Sequence, residues 1–394
     1  MENRRARFRR MAAGATVLFG LVLSLIILKS LWTLDANGLS QLNRKLPIWD
    51  FSNLWAGGVF ALQGRVALLF DVDGYRAALR LLFTPLLTDQ EWSYPPSMLL
   101  LGAPLGLLPV HLAYAVWTLG TIGLLYLALR PLKLAAAAQA AVLASPAVVM
   151  NAVVGQNGAL TASLLVGGLL VAAPRPLLAG VLFGLLTMKP HLGLLVPICL
   201  LASGNVRTIL SAAVTTGLLF AVTGLLFGFE SWLQFRSVTM PLMTSILEAP
   251  YPQNYHALAL TVFAAGRSAG LGLPGAYGLQ IGFSLLAAAS AWWLWRPSTR
   301  IENGRRAVLT GLLALVVTPY GYVYDSVPLA IAVAWLFTRD HRLPVGVHAV
   351  AWLFPLFVPA LALAGFGAGI AVVILYLVLN LGLVLRDQRQ PVAA

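Results

Sequence analysis

Apolar residues run along this chain in long blocks separated by short polar islands, a pattern that predicts helices covered by lipid or protein on most sides. A block of roughly 18 or more apolar residues is long enough to cross a bilayer as a helix. Spans are predicted over residues 11–32, 97–129, 134–150, 158–173, 177–188, 190–204, 208–228, 275–295, 307–320, 323–337, 344–364 and 367–385. The predicted fold class is all-α: a polytopic membrane protein of about 12 segments, forming one domain over 1–394. The segment 97–129 is interrupted at Pro109 and several others are short, so broken or re-entrant helices are expected within 97–204. Such breaks sit at membrane depth only where they line a cavity or are buried in protein. Two longer polar stretches remain, 34–96 and 229–257. In the first, Phe51–Leu62 and Tyr75–Leu87 are amphipathic and predict helices lying along a membrane surface.

With 59% hydrophobic and 10% charged residues, the chain has no room for a sizeable soluble domain. A net charge of +13 suggests nucleic acid at first, but the cations sit at the ends of apolar blocks. Arg4, Arg5, Arg7, Arg9 and Arg10 precede the first span, and Arg130, Lys133, Arg175, Arg207, Arg296, Arg339, Arg342 and Arg386 follow the same rule. That distribution is the positive-inside pattern and excludes a nucleic-acid face. It places both termini in the cytoplasm and the stretches 34–96 and 229–257 outside the membrane. Met11–Leu28 is longer than a signal-peptide core and lacks a small-residue cleavage site, so it reads as an anchor. The only cysteine, Cys199, permits no intrachain disulfide. Gly180 and Gly184 read as internal helix packing, and Trp292, Trp293 and Trp295 as an interfacial belt.

Four polar clusters fall on the outer side of this topology. Asp50-Phe51 precedes Asn53 and Trp55; Glu91 to Pro96 leads back into the membrane; Gly155-Gln156-Asn157 forms a turn; Lys189-Pro190-His191 puts a cation into an apolar block. A lysine there needs an anion or a wet cavity. Lys189 and His191 suit a lipid-linked phosphate, and Gln156 and Asn157 a polar head group such as a sugar. Asp50 suits the base that deprotonates an acceptor hydroxyl. The plainer alternatives are an Asp50 that caps the following helix, a Tyr94-Pro95-Pro96 that only starts one, a Gly155-Gln156-Asn157 that is an ordinary loop turn, and a Lys189 that pairs with Asp325. No phosphate-binding loop ending in Lys-Ser/Thr is present, and the five histidines are dispersed. No cofactor is implied, and a divalent metal is left open.

Taken in order, Asp50-Phe51, Trp55-Ala56-Gly57, Tyr94-Pro95-Pro96, Gly155-Gln156-Asn157, Lys189-Pro190-His191 and Thr318-Pro319-Tyr320 with Tyr324-Asp325 resemble glycosyltransferase family 87. The resemblance spans about 45–340; Asn254-Tyr255-His256 departs from the family's pattern. It implies the GT-C membrane fold and a bacterial plasma-membrane enzyme. Such an enzyme moves a hexose, mannose in some relatives, from a polyprenyl-phosphate sugar to a lipid or glycan acceptor on the outer face. It implies Asp50 as the base and inversion at the anomeric carbon. Lys189 and His191 are the expected donor-phosphate ligands; Glu91, Tyr94, Gln156, Asn157, Asp325 and His256 are the expected sugar or acceptor contacts. A transporter or flippase of lipid-linked sugars and a catalytically inert lipid-binding protein are the rival readings.

Overall fold

The computed structural model of the protein describes residues 2–389, so the extreme ends assigned above to the cytoplasm lie partly outside the described residues. Among the described residues every regular element is helical, and extended pairing is confined to two isolated bridges, Leu34 with Ser40 and Ala259 with Tyr322. Among the described residues, four helices are both long and apolar enough to cross a membrane: Arg4–Leu31, Val110–Leu132, Val206–Phe227 and Ile370–Arg389. The pair Ala136–Leu143 and Pro146–Val154, bent by 40°, makes a fifth candidate. Other predicted spans hold shorter helices, such as the 11-residue Pro176–Leu186. At 1.5 Å per residue such a helix covers about 17 Å, little more than half a hydrocarbon core. Several apolar spans are therefore present, and the count of about 12 is not reproduced.

The predicted break in 97–129 falls where proline puts it. Leu99–Gly106 ends before Pro109, and Val110–Leu129 starts directly after it, because proline fixes its own φ and has no N–H to continue a ladder. Residues 190–204 split in the same way, into a 3-10 turn at Pro190–Gly193 and the helix Val196–Ala202.

The main core is built from Gly158–Val171, Asn303–Val316 and Val327–Arg339, which are buried almost all round. A second core gathers Phe51, Leu54, Tyr75, Trp92 and Trp117. By contrast the first helix leaves Leu18, Phe19 and Leu25 exposed, as a lipid-facing span would.

One prediction of a surface helix is corrected. Trp49–Leu62 buries Phe51, Ser52, Asn53, Leu54, Ala56, Gly57, Gly58 and Phe60, so it is an interior element. Gly58 rests on the Gly102 carbonyl and Gly106 on the backbone of Val59, so the two helices touch main chain to main chain with no side chain between them. The neighbouring helix, Val72–Leu82, is the amphipathic one. Asp71 caps it by accepting from Gly74 N at 3.1 Å, Tyr75 and Leu79 are buried, and Leu81 is exposed.

The Trp292–Trp295 belt is also corrected in part: Trp295 is buried and donates through Nε1 to Thr310 Oγ1 at 2.8 Å, while Trp292 is exposed.

Gly180 and Gly184 do serve internal packing. They let Pro176–Leu186 lie against Ser211 and Thr215 of Val206–Phe227. Gly184→Leu is expected to force these helices apart at a cost of about 1–3 kcal/mol. A lowered thermal midpoint in detergent checks this, with Gly217→Leu, at a glycine facing open space, as the unaffected control.

Candidate active site

The Gly-Gln-Asn turn is held rigidly by its surroundings. Pro146–Val154 ends at Gly155 with φ +70°, a left-handed conformation that favours glycine. A side chain there would also collide with Phe51. Trp117 Nε1 donates to the carbonyls of Gly155 at 3.1 Å and Gln156 at 3.3 Å. The next helix, Gly158–Val171, is capped by Asn151, whose Oδ1 accepts from Gly158 N at 2.5 Å and Ala159 N at 3.4 Å. Asn157 is thereby relieved of capping, and its side chain faces Lys189.

Lys189 Nζ donates to Asn157 Oδ1 at 2.9 Å and to Asp325 Oδ1 at 2.5 Å, and stands 5.2 Å from the centre of the Tyr324 ring. The Asp325 carboxylate is completely buried, and its Oδ2 accepts from Tyr322 N at 3.1 Å. The alternative of a Lys189–Asp325 ion pair is thus what the structure holds. An ammonium has three N–H donors, and the contacts to Asn157 and Asp325 use two of them.

Asp50 lies in the first turn of Trp49–Leu62. The capping position belongs to Ile48, and no side chain caps the helix, so Asp50 is not its cap. The Asp50 carboxyl is half-buried beside the Gln156 side chain, with Lys45, Lys189 and Asp325 as charged neighbours. Burial pushes it up to about 6, and the Lys45 charge works against that shift. Among the described residues Asp50 forms no ion pair, whereas Asp325 pairs with Lys189 and Glu91 with Arg76.

The surrounding wall is aromatic. Tyr94, Tyr255 and Tyr324 all lie within the field of the Asp50 and Asp325 charges. Tyr322 donates to the Tyr255 hydroxyl, their rings 5.2 Å apart, and the Tyr322 and Tyr324 rings are 5.3 Å apart. Burial keeps the Tyr94 and Tyr255 hydroxyls protonated, Tyr255 being pushed up to about 12.

Asp50, Tyr94, Gln156, Asn157, Lys189 and Asp325 are therefore brought together. His191 borders this group, with its ring 6.1 Å from that of Tyr320 and a buried Nε2 that has no hydrogen-bond partner. Two expected contacts lie elsewhere. The Glu91 carboxylate is held by Arg76, Nε to Oε1 at 3.0 Å, in a cluster with Asp73 and Asp89. His256 accepts from Gln253 N at 3.0 Å and stacks on Tyr251 at 5.0 Å; its neighbour Tyr255 occupies the place beside Asp50. Tyr255, Tyr322 and Lys45 are the residues that sequence reasoning missed. The signals available were the Tyr320-Gly321-Tyr322-Val323-Tyr324 alternation and a lysine five residues before Asp50. Among the described residues no group of three His, Cys, Asp or Glu side chains is placed to hold a metal ion.

The sequence model of glycosyltransferase family 87 matches residues 92–319, more than half the chain. That range takes in Tyr94, Gln156, Asn157, Lys189, His191 and His256, and leaves Asp50, Glu91 and Asp325 outside. No curated protein and no solved structure matches the sequence. The family is one of transferases, which sets aside the transporter reading. The chain belongs to glycosyltransferase family 87, a membrane enzyme that takes a sugar from a donor and passes it to an acceptor.

Proposed function

We propose that the protein transfers a hexose, mannose being the first to test, from a polyprenyl-phosphate carrier to a lipid or glycan hydroxyl outside the bacterial plasma membrane. The observation that carries this reading is the unequal state of the three candidate acids. Glu91 and Asp325 are neutralised by Arg76 and Lys189, and of these three Asp50 is the one with no ion pair among the described residues. A carboxylate free to take a proton, beside hydrogen-bonding amides and aromatic rings, is what activation of a hydroxyl requires.

In this reading Asp50 accepts the acceptor's proton as its oxygen attacks the anomeric carbon. The bond from that carbon to the phosphate oxygen breaks, and the phosphate leaves with the electron pair. A single displacement inverts the configuration. The remaining Lys189 donor and the unpartnered His191 Nε2 face the leaving phosphate, with Lys45 adding positive charge near Asp50. Gln156, Asn157, Tyr94, Tyr255 and Tyr324 line the sugar.

An apolar groove of about 420 Å³ begins at Thr187 and Pro190 and continues past Leu194 and Leu201. It offers an isoprenoid tail a path that starts beside Lys189. With the arginine-rich segment ends in the cytoplasm, the site opens outward, and the remaining short helices fit broken spans.

The direct test is transfer of radiolabelled sugar from polyprenyl-phosphate mannose and polyprenyl-phosphate glucose into a lipid extract by the purified protein. No transfer from either donor removes the polyprenyl-phosphate reading.

The pH dependence has a definite sign. Asp50 works deprotonated, so kcat/KM is expected to fall as pH drops through about 6 and to level off above it. Lys45 holds that value down, so Lys45→Met is expected to move the acid limb to higher pH. A limb that stays in place in Lys45→Met would separate the titrating group from Asp50.

A further inference from the structure

Far from Asp50, a groove of about 860 Å³ separates the start of the first helix from the turn at 341–349. The groove reaches Thr16 on the first helix, and the 15 residues from there to Leu31, at 1.5 Å each, put about 22 Å between it and the segment leading to Asp50. Its polar side carries Arg4, Arg5 and Arg9, and its apolar floor includes Phe8, Ala12 and Val345.

The cations are not equivalent. Arg342, also on the rim, is neutralised by Asp340 at 2.5 Å and Asp387 at 2.6 Å. Arg9 is fixed in place, donating to the carbonyls of Leu343 at 3.2 Å and Phe337 at 3.4 Å with its guanidinium 4.8 Å above the Phe337 ring. Those carbonyls, at the C-terminal end of Val327–Arg339 and in the turn after it, offset part of its charge without a carboxylate. Arg4, Arg5 and Arg9 form no ion pair with a carboxylate of residues 4–389. Three cations with no carboxylate of residues 4–389 paired to them thus stand over an apolar floor at the end of a lipid-exposed helix, where Phe8 is 68% exposed.

Small anions would use the cations and ignore the floor; an acyl chain alone would do the reverse. A membrane phospholipid with a negative head group satisfies both. We propose that this groove binds an anionic phospholipid, its phosphate held by Arg4, Arg5 and Arg9 and its upper acyl chain laid along Phe8 and Ala12.

Native mass spectrometry of the full-length protein, titrated with phosphatidylglycerol or with phosphatidylcholine of the same chains, tests it. Phosphatidylglycerol is expected to bind more tightly, and Arg4→Gln/Arg5→Gln to weaken it about tenfold or more. Gly346→Phe fills the groove from a glycine that faces open space. It leaves every charge in place and is expected to abolish the preference while thermal stability is kept. Equal binding of the two lipids, or a preference that survives either variant, would overturn the proposal. Displacement of phosphatidylglycerol by millimolar inorganic phosphate would also overturn it, since the groove would then be a site for free anions.

Discussion

Asp50→Asn is expected to slow sugar transfer by about 10²–10⁴-fold while the protein stays folded and its donor KM changes little, because general-base catalysis contributes about that much. The substitution keeps the shape of the side chain beside Gln156 and removes its ability to take a proton. The loss corresponds to about 3–5 kcal/mol of transition-state stabilisation. Single-turnover transfer at saturating donor measures it, and the acid limb near pH 6 is expected to vanish with it. Transfer by Asp50→Asn at the wild-type rate would leave the reaction to another base. Glu91→Gln, in contrast, releases only Arg76 and is expected to affect stability more than turnover.

Lys189→Met is expected to have the largest effect on stability of any substitution in the site. It leaves the fully buried Asp325 carboxylate with one backbone donor and no counter-charge. Breaking a buried pair from one side costs about 3–5 kcal/mol. Lost activity in that variant alone therefore says nothing of phosphate binding. The double variant Lys189→Met/Asp325→Asn removes both charges and is expected to recover the thermal midpoint. If Lys189 also contacts the donor, the recovered protein still shows a raised donor KM. A double variant with wild-type KM confines Lys189 to a structural role.

These two residues show how the sequence could be read and where it could not. The helical class and the break at Pro109 were legible because apolar block length and proline act locally. The polar islands at 50, 155–157, 189 and 325 were legible because unpaired polar groups in apolar blocks must meet one another or a ligand. The span count was not, since helices of 7–14 residues such as Val196–Ala202 and Gly158–Val171 are apolar without saying whether they cross. Trp49–Leu62 looked like a surface helix because its burial depends on Gly102 and Gly106, some 50 residues further on. His256 and Tyr255 are adjacent in sequence and both polar. Tyr255 is the one that meets the site, through a hydrogen bond from Tyr322, 67 residues further on, which local pattern does not report.

The Lys189–Asp325 contact also bears on how the protein is made. Its partners lie 136 residues apart in the chain. At elongation rates of about 5–20 residues per second, the lysine is synthesised about 7–27 seconds before the aspartate that neutralises it. Until then the ammonium has the Asn157 amide but no counter-charge, at a cost of a few kcal/mol wherever it is out of water. The early segment is thus completed by a late one, and a chain released before residue 325 is expected to lack the charge that balances Lys189.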